Sequence, residues 1–159
     1  MKKFKDSSPQ AATISKSIFV VFLFSLFFIG CEKKITTELH KVHWDRDMCE
    51  RCKMVVSDRK NTAQAINPKT GRSYMFDDIG CTILWFKEEK IEWENNATIW
   101  INDIKSGDWI DAKKAFYDTE NITPMAYGFG AHKTKDTIAK DQEIIDYEEV
   151  KKRVIKIGK

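Results

Sequence analysis

Apolar positions in this chain form one continuous block followed by short runs set between polar turns. The block is residues 18–30 (IFVVFLFSLFFIG), thirteen apolar or small residues preceded by Lys2, Lys3, Lys5 and Lys16. It is shorter than the roughly 20 residues a membrane-spanning helix needs, and it matches the region of about 7–15 residues in a secretory signal. Residues 32–47 are polar and weakly patterned, as a tether would be. Beyond Cys49 the runs become regular. Residues 54–56, 63–66 and 73–76 predict short strands, with a turn at residues 67–71 (NPKTG) marked by its Asn, Pro and Gly. Asp77 or Asp78 then caps a helix running from about Ile79 to Lys87, with Ile79, Ile83 and Phe86 on one face. Residues 97–101 predict another strand. The second half repeats the order, with strands over 114–117 and 125–131, a helix near 134–139, a strand-like stretch at 143–146 and an amphipathic helix over 147–155. The pattern predicts an α+β fold in which two similar ββαβ units form one compact domain. The expected organisation is a signal over residues 1–30, a tether over 31–47 and a folded domain over 48–159.

The apolar block ends in Phe28-Ile29-Gly30-Cys31, which resembles the lipobox read by bacterial lipoprotein signal peptidase. Small Gly30 sits at the bond to be cut, and Cys31 becomes the acylated N-terminus. Phe28 is bulkier than the Leu usual at its position. A plain membrane anchor and ordinary cleavage near Gly30 are the alternatives. One acyl chain anchors weakly, so a lipoprotein needs more than one for stable attachment to the bilayer. Without the first thirty residues, 23 of the 27 Lys and Arg and 23 of the 24 Asp and Glu remain. The exported part is therefore close to neutral and has no basic excess for nucleic acid.

With Cys31 committed to lipid, Cys49, Cys52 and Cys81 remain, an odd number that cannot complete a disulfide framework. Export places them in an oxidising compartment, so a metal or a redox role must account for the free thiols. The most informative stretch is residues 47–54 (DMCERCKM), with two thiols and up to two thioethers close together. Thiolate and thioether ligands select soft ions, above all Cu(I). If residues 52–54 are extended, Cys52 and Met54 point to the same side. Two other readings compete. Cys49 and Cys52 could join His40 and His43 in a four-ligand zinc site. They could also form a thiol–disulfide oxidoreductase site with Thr123-Pro124 beside them, although residues 53–56 favour a strand and leave no helix N-terminus to stabilise a thiolate. Cys81 reads as a buried core thiol, and Asp77 and Asp78 as helix caps, one of which supports a metal. Met125, fixed beside Pro124, is either core filler or a third soft ligand. His132 is expected at the surface. No nucleophilic triad, phosphate-binding glycine loop or paired-carboxylate geometry is present, so no enzymatic activity is expected.

Taken together, D-x-C-x-x-C-x-M-V-V-x-D over residues 47–58, MFDDIGC over 75–81, WIDA over 109–112 and TPMAYGF over 123–129 resemble the NosL family of nitrous oxide reductase accessory lipoproteins. The resemblance implies a periplasmic Cu(I) chaperone for the copper–sulfide centre of nitrous oxide reductase, and we expect a monomer. Its implied partner is a membrane ABC-type maturation complex. It also implies two ββαβ units and metal binding by Cys52 and Met54, with Met125 as an added ligand; beside these, Cys49 is expected to serve as an auxiliary or redox-protecting thiol. One position departs: the family usually has Gly where this chain has Lys53. If that residue needs a positive φ, lysine carries a steric cost.

Overall fold

The computed structural model describes residues 35–158. The signal block and the expected acylation site, Cys31, lie outside them. Four strands, β1 (Ala63–Ile66), β2 (Ser73–Phe76), β3 (Thr98–Asn102) and β4 (Trp109–Asp111), form an antiparallel sheet in the order β2-β1-β3-β4. Ala63 lies opposite Phe76 on one side and Ile101 on the other. A second sheet pairs β5 (Phe116–Asp118) with β6 (Gly130–His132), also antiparallel.

Helix α1 (Ile79–Glu88) starts at Asp78, whose carboxylate accepts the Gly80 N–H at 2.8 Å, a direct N-cap. Every residue from Ile79 to Phe86 is buried, because α1 packs between the β1–β2 side of the large sheet and helix α2 (Tyr147–Ile157). A helix apolar on all sides is the expected result of that position. Helix α2 covers α1 and β5 with Tyr147, Val150 and Val154. It is capped by Asp146 at the Glu149 N–H and ends at Gly158 in the left-handed region. Phe76, Ile83, Phe86, Ile99, Ile101 and Val150 fill the space between these layers, each side chain contributing about 1.5–3 kcal/mol by leaving water.

The α+β class and the first ββαβ unit match the sequence expectation. The second unit is a reduced version. Residues 125–129 are not a strand: Ala126 and Gly128 take φ of 56° and 83°, which breaks extended backbone, and pairing starts only at Gly130. Where a helix was expected near 134–139 there is a 3₁₀ turn (Lys135–Thr137); six residues are too few to repay helix nucleation. Of residues 143–146 only Ile145 pairs, exchanging two 2.9 Å backbone bonds with Tyr117. Likewise, residues 54–56 give one bridge, Met48 to Val55, instead of a strand.

His132, expected at the surface, is fully buried. Its Nε2 lies 3.0 Å from Asp118 and its Nδ1 lies 2.9 Å from the Thr137 hydroxyl. That hydroxyl donates to the Thr134 carbonyl, so its oxygen accepts from the ring. The polar segment before Cys49 is also held down. The Trp100 indole donates to the Thr37 carbonyl at 3.3 Å, and the buried Gln64 amide exchanges bonds of 2.8 and 3.1 Å with the His40 backbone.

Candidate metal centre

Two segments build the site. The first is a hairpin in which Asp47 and Cys49 pair with Val56 and Met54: the Val56 N–H donates to the Asp47 carbonyl, and the Cys49 N–H to the Met54 carbonyl, both at 2.8 Å. Its tip closes with the Lys53 N–H on the Cys49 carbonyl at 3.0 Å, and Lys53 takes a φ of 61°. The position does need a left-handed residue, as the departure from the family pattern suggested. The extended run imagined for residues 52–54 is thereby broken, so strand alternation does not describe how Cys52 and Met54 are aimed.

Several polar contacts dock the hairpin. The Glu50 N–H donates to the Met75 carbonyl at 2.8 Å, the Arg51 guanidinium grips Glu88 with two bonds of 2.8 and 2.9 Å, and Arg51 also reaches the Tyr127 hydroxyl at 3.2 Å. The second segment is the junction of β2 and α1, where Asp77 precedes the cap and Cys81 lies in the first helical turn.

These segments bring the sulfurs of Cys49, Cys52 and Cys81 and a carboxylate oxygen of Asp77 within 4.8 Å of one another. Among the described residues this is the convergent group of His, Cys, Asp and Glu ligand atoms, so the histidines of the zinc alternative stand outside it. Cys49 and Cys81 are inaccessible, Cys52 is half-buried, and Asp77 is buried. The Cys52 thiol donates to Asp77 Oδ2 at 3.2 Å, while Asp77 Oδ1 is buried with no hydrogen-bond partner. A buried carboxylate oxygen left unpaired is costly, and a cation beside it would remove that cost.

The thiols differ in their readiness to ionise. Hydrogen bonding from the Cys81 thiol, against the opposing effect of burial, lowers the Cys49 thiol to about 7. Cys52 is pushed up to about 12, chiefly by desolvation. Cys81 is raised by the bond it gives to Cys49 and by its own burial. Three sulfurs and one oxygen in a mostly enclosed space suit a soft or borderline cation held at low coordination.

Of the residues singled out from the sequence, Cys49 and Cys52 lie in the group. Met54 is half-exposed on the hairpin beside them. Met125 is partly buried, and its N–H donates to the Asp78 carboxylate at 3.3 Å, in the loop following Thr123. Sequence reasoning assigned Cys81 to the core and read Asp77 and Asp78 as caps, one of them supporting a metal. Cys81 and Asp77 are buried and converge with the hairpin thiols, while Asp78 is the cap. The available signal was the odd thiol count together with an acid four residues before the remaining cysteine, at a strand-to-helix junction.

The model of the NosL family matches residues 41–134, which include all four converging residues. Among solved structures, the crystal structure of the copper chaperone NosL from Shewanella denitrificans is similar, with a TM-score of 0.54 at 10% identity. The match covers 72% of this chain and 96% of that one, and it shows a common fold. No curated protein matches the chain significantly. With the family's pattern spanning both the hairpin and the strand-to-helix junction that make the thiol site, this chain belongs to the NosL family.

Proposed function

We propose that this chain is a lipid-anchored Cu(I) carrier of the cell envelope, facing the periplasm, which supplies copper for the copper–sulfide centre of nitrous oxide reductase. Its membership of a non-enzymatic family and its likeness in fold to a copper chaperone support the carrier reading. The observation that carries it is the convergence of three sulfurs with the carboxylate of Asp77, one of whose oxygens is buried and unpaired. In this reading Cys49, Cys52 and Cys81 hold Cu(I), the proton that Cys52 loses on binding goes to solvent, and the Asp77 carboxylate lies beside the ion. Met54 and Met125 present thioethers to the ion as it leaves. Cys31 carries the lipid, and the acceptor is an ABC-type maturation complex in the same membrane. Low coordination suits handover, because an incoming ligand can attach before the last donor lets go.

The thiol–disulfide oxidoreductase reading meets a physical obstacle. Exchange needs an accessible thiolate. Here the readily ionised thiol, Cys49, is sealed, and the accessible one, Cys52, holds its proton up to about 12.

Competition of the reduced chain against a Cu(I) chelator tests the carrier reading. It expects one tightly bound equivalent, weakened about 100-fold or more in Cys52→Ser, by the scale seen when metal-site groups are removed. No tight equivalent, or an unchanged one in that variant, would end the case.

A further inference from the structure

The segment that leads into the thiol hairpin is strapped across the domain. Ile35 and Thr36 pack on Gly71 in the β1–β2 turn, with the Thr36 carbonyl oxygen 3.1 Å from where a Cβ would stand. The Thr37 carbonyl accepts from the Trp100 indole, and His40 is held through its backbone by the Gln64 amide. Trp44 stacks on Trp109 with ring centroids 6.4 Å apart, and the Asp45 N–H donates to the Val56 carbonyl at 3.0 Å. We propose that the membrane holding the Cys31 lipid is itself a docking partner of the domain, met by the β1–β2 turn and Ile35; this rests on the lipid anchor of the proposed function.

The length of chain between lipid and strap decides this. Only Glu32, Lys33 and Lys34 separate Cys31 from Ile35, and four residue steps reach about 14 Å at most. A domain of this size has a radius of gyration of about 14 Å. A leash no longer than that does not let the domain turn over, and it keeps the surface around Ile35 beside the headgroups. That surface suits the contact. Residues 67–72 (NPKTGR) include exposed Lys69 and Arg72 and no acid, and Ile35 is more than half exposed. Along the strap, exposed Glu38 is offset by exposed Lys41. Cations beside an apolar side chain are drawn to an anionic bilayer surface.

Docking of this kind also places the thiol group. In the large sheet Ile66, Ser73 and Thr98 lie at one end and Ala63, Phe76 and Ile101 at the other. The β1–β2 turn is at the first end. Asp77, which converges with the three thiols, follows Phe76 at the second, about 10 Å along a strand of that length. The thiol group is thereby held off the lipid, on the side where a protein acceptor can reach it.

The test places a photo-crosslinking phenylalanine analogue at Lys69, in the β1–β2 turn, or at Lys105, in the β3–β4 turn at the opposite end of the sheet, both exposed positions. The full acylated chain is reconstituted in vesicles of phosphatidylethanolamine and phosphatidylglycerol and irradiated. Lipid adducts at Lys69 are expected to exceed those at Lys105 by about fivefold or more, since so short a leash keeps only the first turn in reach. Inserting about twelve Gly and Ser residues after Lys34, a coil of roughly 20 Å, should bring the two yields together. Equal yields with the unaltered leash, or a preference that survives the insertion, overturns the docking. An unmodified Cys31, read from the mass of the N-terminal peptide, would overturn the lipid anchor of the proposed function and the docking with it.

Discussion

Lys53 shows how one residue sets the shape of the site. Its φ of 61° closes the Cys49–Lys53 turn, and a non-glycine residue in that region is destabilised by about 1–2 kcal/mol. Glycine relieves this but adds freedom to the unfolded chain, about 0.5–1 kcal/mol in the opposite direction. Lys53→Gly is therefore expected to stabilise the reduced chain by a net amount of about 0.5–1 kcal/mol in denaturant unfolding; a loss of stability would mean that the lysine's contacts to Glu50 outweigh the strain. The thiols predict a pH dependence. Cys49 ionises near 7 when folded and near 9.0 otherwise, so its stabilising contribution is full above 9.0 and is lost as pH falls through 7. Cys52, raised to about 12, acts the other way, with a contribution present below 9.0 and lost as pH climbs toward 12. Thermal stability of the reduced, metal-free chain should thus rise from pH 7 to 9.0, and Cys49→Ser should abolish that rise.

At the scale of elements, the first turn of α1 is where packing and chemistry meet. A Cβ on Gly80 would lie 2.2 Å from the Tyr127 ring, so no side chain fits there without moving the loop that carries Met125 and the tyrosine that Arg51 reaches. Gly80→Ala is expected to cost about 1–3 kcal/mol, as overpacking does, and to weaken copper binding by loosening the hairpin; thermal melts and the Cu(I) titration check both. The small sheet depends on a different device. The buried His132 ring lies 3.0 Å from Asp118 Oδ2 and 2.9 Å from the Thr137 hydroxyl, a polar link that joins β5 to β6. Asp118→Asn should destabilise by about 1–3 kcal/mol, the cost of disturbing a buried hydrogen-bonded group, read as a shift in the denaturant midpoint. The elements also show what a sequence pattern reveals. Strands β1, β2 and β3 and both helices were legible because their periodicity and caps are strong. The stretch 125–129 was not, because the backbone at Ala126 turns left-handed without a glycine to announce it.

For the whole molecule, the site was legible in kind but only partly in membership. Soft ligands clustered at Cys49 and Cys52 pointed to a soft cation. Cys81 was hidden because a thiol at a helix start is explained equally well by burial, and which of Asp77 and Asp78 caps the helix was open. Only the docking of the hairpin, through Glu50 to β2 and through Arg51 to α1, brings the two segments together. The near-neutral charge beyond residue 30 leaves long-range electrostatic attraction little part in any association. The account stands or falls on sulfur coordination that includes the helix thiol. Copper X-ray absorption on the reduced chain loaded with one equivalent of Cu(I) measures it directly. The account predicts a first shell dominated by sulfur, reduced by one sulfur in Cys81→Ser. A shell dominated by nitrogen or oxygen, or one identical in that variant, would contradict it.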